Sequence, residues 1–162
     1  MVDSLKQRFF TSYARKDERI VRQILKLVTI SGAFAFFDQD HISPGSDWRI
    51  TLATAIGESD AIIVFWSRNA SESAWVRREW KLGLRLGKRI IPVRLDGVPM
   101  PKELSRLQAI DLRVTIPCEG VVHKSIFYSL LREWDPGELE RLLCLSANKL
   151  TAGLAALFEK SN

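Results

Sequence analysis

The chain has 162 residues, 46% of them hydrophobic and 27% charged, which suits one domain with a real core and excludes a wholly disordered chain. No apolar run approaches the roughly 18 to 20 residues that span a bilayer, and no signal-peptide core follows the polar segment Met1–Arg8, so a cytoplasmic protein is expected. The net charge of +5 suits a polyanionic small ligand, but no unbroken basic block with interleaved aromatics marks a dedicated nucleic-acid binder.

In chain order, Arg8–Tyr13 is a short β-branched and aromatic run and reads as a first strand. Ile20, Val21, Ile24, Leu25, Leu27 and Val28 then recur at helical spacing, and Ser31-Gly32 stops that helix. Ala33–Phe37 reads as a second strand, apolar on both faces. The segment Asp38–Asp47 breaks the pattern with Gln39, Asp40 and a Pro44-Gly45 turn. Ser46 and Asp47 are capping residues in this reading, and Asp47 opens a helix carrying Trp48, Leu52, Ala55 and Ile56 inward. Asp60–Trp66 is a third strand. A helix from about Ser73 to Gly87 follows, then a fourth strand over Arg89–Leu95, whose Pro92 cannot donate to a ladder. Residues 99–112 read as a short helix and a weak last strand, Ala109–Leu112, and Val121–Trp134 as the final helix of the core.

Strands alternating with helices predict a flavodoxin-like, doubly wound, five-stranded parallel sheet flanked by helices. Asp135-Pro136-Gly137 divides the chain into a domain over 1–134 and a C-terminal extension or linker over 135–162. That extension reads as one or two extra helices, either docked on the domain or directed towards a partner. Cys118, Cys144, His41 and His123 have no metal-ligand spacing, so no metal or cofactor is expected. Ligands of such a sheet gather outside the carboxyl ends of its strands, here Tyr13–Arg15, Asp38–Gly45 and Ser67–Ser71.

Four segments, in order, resemble the Toll/interleukin-receptor (TIR) domain family. They are Phe10-Thr-Ser-Tyr13, Phe37-Asp38 with Ile42-Ser-Pro-Gly45, Ser73-Ala-Trp75-Val-Arg-Arg-Glu79 and Ile91-Pro-Val93. The resemblance covers Arg8 to about Trp134 and has the flavour of bacterial members. It implies that Glu79, in a Trp-x-x-x-Glu helix, is the catalytic residue of an NAD⁺ glycohydrolase or ADP-ribosyl cyclase serving antiphage defence. NAD⁺ is then a substrate rather than a cofactor. It also implies self-association through TIR–TIR contacts, with a sensor domain or partner reached through the C-terminal segment.

The chemistry agrees with a lone carboxylate. Nicotinamide leaves NAD⁺ neutral and needs no acid, while positive charge grows on the ribose, so one carboxylate beside the ribose suffices. Trp75, one turn before Glu79, offers a flat face to a ligand ring. Tyr13, Arg15, Asp38 and Gly45 complete the expected substrate-binding set, with Arg15 for a phosphate and Tyr13 for stacking. Trp48 reads as core, and Trp66 and Trp80 as packing. The main alternative is a non-catalytic TIR adaptor acting through TIR–TIR interactions. A phospho-acceptor receiver lacks its acidic pair, since Tyr13-Ala-Arg15-Lys16 stands there. A nucleoside transferase would release a free base from a nucleoside and leave NAD⁺ untouched.

Overall fold

The computed structural model describes residues 7–30, 34–38, 44–113 and 136–159. The helix expected over Val121–Trp134 lies outside them, as do Gln39, His41, Cys118 and His123. Strand β1 (Gln7–Ser12) leads through a 3₁₀ turn (Arg15–Asp17) into helix α1 (Glu18–Ile30) and strand β2 (Phe34–Phe37). Helix α2 (Trp48–Gly57), strand β3 (Ala61–Trp66), helices α3 (Arg68–Glu72) and α4 (Ala74–Arg85) and strand β4 (Arg89–Arg94) follow. Helix α5 (Lys102–Ser105), strand β5 (Ile110–Asp111) and the long helix α6 (Pro136–Glu159) complete the described elements.

The five strands pair in parallel in the order β2-β1-β3-β4-β5, as the alternating pattern predicts. The chain reverses its direction of travel across the sheet between β1 and β3, the switch point at which such sheets open a crevice. The β4–β5 ladder begins only at Val93, one residue after the donor-less Pro92.

Period-2 alternation divides the strand residues between two cores. Phe9, Ile63, Phe65, Ile91 and Val93 pack with α1 and α6 on one face. Phe10, Ile62, Val64, Trp66 and Ile90 pack with α2, α4 and α5 on the other. Helix α6 is one continuous helix, and it buries Leu143, Ala147, Leu150 and Leu154 in the first core. Their spacing is a single helical stripe, so the C-terminal segment covers one face of the sheet.

Capping residues set the helix ends. Asp47 accepts from the Arg49 amide at 3.0 Å to start α2, and Ser73 accepts from the Val76 amide at 3.2 Å to start α4. The sequence reading missed α3. It exists because Ser67 caps it, accepting from the Ala70 amide at 3.0 Å. Helix α4 ends in a Schellman motif: Lys88 N donates to Gly83 O at 2.9 Å and Gly87 N to Leu84 O at 3.1 Å. Gly87, at φ +68°, takes the left-handed position that this ending requires.

Gly83 brings α4 down onto the sheet. A Cβ there would lie 2.1 Å from Ile62 Cδ1 and 3.0 Å from Ile90 Cδ1, both of buried side chains. Alanine favours a helix over glycine by about 1 kcal/mol, but overpacking a tight core costs about 1–3 kcal/mol. Gly83→Ala is therefore expected to lower the urea-unfolding free energy. A gain in stability would show that α4 has room to move.

Candidate active site

The buried positions of α4 are Val76, Glu79, Trp80 and Gly83, the i, i+3, i+4, i+7 stripe of a core-facing helix. A carboxyl thus stands where the helix calls for an apolar side chain, and Glu79 is 1% exposed. On β1, Ser12 shares the face of Phe10 by strand alternation, so it meets α4 from below. Its hydroxyl donates to Glu79 Oε2 at 2.5 Å. From the helix side, the Trp75 indole N–H donates to Glu79 Oε1 at 2.6 Å. Both carboxyl oxygens are therefore held, one by the carboxyl end of a central strand and one by the preceding helical turn.

Burial pushes the Glu79 carboxyl up from 4.5 to about 8, the two hydrogen bonds pull it back only in part, and the charge of Asp38 adds to the rise. Proton release from this group is thereby moved into the physiological range, where acid–base function is most easily exercised.

The other expected site residues fall into two groups. Tyr13 is 3% exposed and donates its hydroxyl to Asp38 Oδ2 at 2.7 Å. Burial first, then this hydrogen bond, pushes the phenol up to about 12, so it stays neutral and keeps its proton for Asp38. Asp38 also lies 3.7 Å from an Arg22 guanidinium nitrogen. These contacts tie the end of β1 to the end of β2. Arg15, in contrast, is exposed in the 3₁₀ turn, and Gly45 is exposed at φ +85°. Among the described residues no hydrogen bond joins either of them to Glu79.

Trp48, expected in the core, is only half-buried. Its ring lies 5.0 Å from that of Trp75, tilted by 51°, so an aromatic pair flanks the carboxyl. The guanidinium carbons of Arg49 and Arg78 stand 5.4 Å and 5.8 Å from the Trp48 ring centre, within cation–π range. Sequence reasoning missed Ser12 as a site residue, although it lies inside the first motif. It also missed Asp17, which is fully buried. Asp17 accepts from the Ser67 hydroxyl and, at 2.6 Å, from the Asn69 amide, locking the turn after β1 to the start of α3.

A five-stranded flavodoxin-like sheet with a buried, doubly held carboxyl beside its switch point defines a class of doubly wound α/β domain, with its candidate site at the carboxyl edge. The TIR domain family matches residues 9–121, and the chain belongs to that family. The fold is similar to the TIR domain of the Toll-related receptor TRR-2 from Hydra magnipapillata, at a TM-score of 0.59 and 19% identity, over 76% of this chain and 94% of that one. It is similar also to a metazoan TIR-STING receptor from C. gigas, whose structure holds 2′,3′-cGAMP, at a TM-score of 0.55 and 25% identity. That match takes in 67% of this chain and 35% of the receptor. No curated protein matches the chain.

The raised Glu79 value has a consequence for stability. Between 4.5 and about 8 the folded chain binds the proton that the unfolded chain has lost, so stability is full at the acid end and falls as pH rises through that window. Glu79→Gln keeps both hydrogen bonds, with Oε1 accepting from Trp75 and Nε2 donating to Ser12, and it carries no charge. Thermal melts of the two proteins are expected to diverge with rising pH, the Gln variant ending more stable by a few kcal/mol above about pH 8. A constant difference across the window contradicts the buried, proton-holding carboxyl.

Proposed function

We propose that this TIR domain breaks the bond between nicotinamide and ribose in NAD⁺, with Glu79 stabilising the ribose cation. The observation that carries the reading is the buried Glu79 carboxyl, gripped through both oxygens at the sheet's carboxyl edge. The C1′–N bond breaks with both electrons leaving on nicotinamide, which departs neutral. The ribose becomes an oxocarbenium ion, and water adds at C1′ and gives up a proton, yielding ADP-ribose. If a ribose hydroxyl of the same molecule captures the cation instead and gives up its proton, the product is a form of cyclic ADP-ribose, one water short of ADP-ribose.

A carboxyl that titrates near 8 is mostly protonated at pH 7 in the ligand-free chain, and in that form does little for a cation. The arriving pyridinium is itself cationic, and an adjacent positive charge favours the carboxylate. Substrate therefore displaces the proton and arms the group it needs. The half-buried Trp75 and Trp48 offer faces for a ring, and Arg49 and Arg78 offer charge to a diphosphate.

Glu79 is 1% exposed in the single chain, so a substrate reaches it only when its cover moves. We tie that opening to self-assembly, which keeps a potentially lethal NAD⁺ consumer silent until triggered, as suits a bacterial defence protein. The same seal also favours the second reading, a non-catalytic TIR adaptor.

Chromatography of released nicotinamide decides between them. Wild type is expected to release it with a specific activity that grows with protein concentration, and Glu79→Gln to lose at least about a hundredfold. Since kcat/KM reports the free enzyme, it is expected to rise with pH and level off above about 8. Failure of wild type to release nicotinamide at any concentration, with crowding agents present, leaves the adaptor.

A further inference from the structure

Charge is unevenly spread along the chain. Arg77, Arg78, Lys81, Arg85, Lys88 and Arg89, with the single acid Glu79, give residues 77–89 a formal charge of +5, which is the net charge of all 162 residues. With about 100° of rotation per residue, the side of α4 turned away from Val76, Glu79, Trp80 and Gly83 carries Arg77, Lys81, Leu84 and Arg85, all exposed. A solvated helix commonly sets carboxylates one turn from its cations. Here Arg77, Lys81 and Arg85 follow one another at that spacing, and among the described residues no carboxylate pairs with any of them. Such neighbours repel one another. The helix dipole favours Arg85 in the last turn, but not Arg77 in the first, where no acid stands. Beside these cations, Leu84 and Leu86 are 41% and 44% exposed. Lys88 donates to Gly57 O at 2.6 Å and to Ser59 O at 2.9 Å, fixing the turn after α4 against the turn before β3. Glu58 and Asp60 of that neighbouring turn, and Glu72 ahead of α4, bound the patch.

We propose that the outer face of α4 is a docking surface for an anionic lipid bilayer. Arg77, Lys81 and Arg85 meet the headgroups, and Leu84 and Leu86 enter the boundary with the acyl chains. A field of cations by itself serves any polyanion. The leucines select among them, because apolar side chains gain from entering a bilayer interface, whereas the phosphates of a nucleic acid offer them nothing. The chain then lies on the surface without crossing it, and no described helix is long and apolar enough to span a membrane. Glu79 belongs to the buried side of α4, so docking on the outer side is independent of whether NAD⁺ is cleaved.

Co-sedimentation of the full chain with vesicles tests the surface, using phosphatidylcholine alone and an equimolar mixture with phosphatidylglycerol. Binding is expected to the anionic vesicles only, and to weaken as salt rises. Each cation near an anionic surface strengthens binding about fivefold, so Lys81→Gln with Arg85→Gln is expected to lower the partition coefficient about twentyfold. Leu84→Ser with Leu86→Ser leaves the charge unchanged and is expected to lower it at least about fivefold. All four positions are exposed, and thermal melts matching wild type show that the fold is kept. The comparison of the two vesicles with wild type stands whatever the variants do. No sedimentation with the anionic vesicles, equal sedimentation with both, or undiminished binding by either folded paired variant overturns the proposal. So does retention of a DNA duplex in place of the vesicles. None of these readouts depends on nicotinamide release, so failure here and failure of the NAD⁺ reading are separate results.

Discussion

A carboxyl group occupying the core stripe of α4 is the constraint around which the sheet's carboxyl edge is arranged. An apolar residue at position 79 would pack between Val76 and Gly83 at no electrostatic cost. Glu79 instead must be desolvated, and its raised proton affinity measures that cost. The fold limits the damage by giving each oxygen a donor, Ser12 from β1 and Trp75 from α4, because a half-satisfied buried carboxyl is worse than none. A residue so expensive to keep is the kind that active sites retain.

The rest of the domain keeps that geometry rigid. Gly83 removes the side chain that would hold α4 off β3 and β4, and the Schellman ending and the Ser73 cap fix the helix at both ends. Asp17, gripped by Ser67 and Asn69, fastens the turn after β1 to α3, so Ser12 and α4 approach from elements that are bound to one another. On the far face, α6 shares the core with α1 and β5. The charge of Asp38 raises the Glu79 proton affinity, while the Tyr13 hydroxyl and the Arg22 guanidinium hold that carboxylate in place.

Much of this was legible beforehand because it rests on local pattern. Apolar runs such as Ala61–Trp66 demand burial on both faces, and their alternation with helices leaves few topologies. Asp47 and Ser73 announced their helices through capping chemistry. Glu79 itself stood out through its motif and its i, i+4 relation to Trp75. The unread parts depend on contacts made across the chain: Ser12 and Glu79 are 67 positions apart, and Ser67 and Asp17 are 50 apart. Helix α3 escaped notice because five residues are too few to show a period. Trp48 read as core because its helix turns other apolar residues inward, whereas half of its ring belongs to the rim around Trp75. The continuity of α6 was open, since the mixed helical spacing of its leucines fits one helix or two.

The central claim is that one carboxyl is held protonated, by burial, in the ligand-free fold. Selective ¹³C labelling of glutamate, with the Glu79 signal identified by its loss in the Gln variant, allows the carboxyl carbon to be followed across pH. A titration midpoint near 8 is predicted. A midpoint close to 4.5 contradicts the account, because it would mean that water reaches this carboxyl freely and that the sheet edge holds nothing poised.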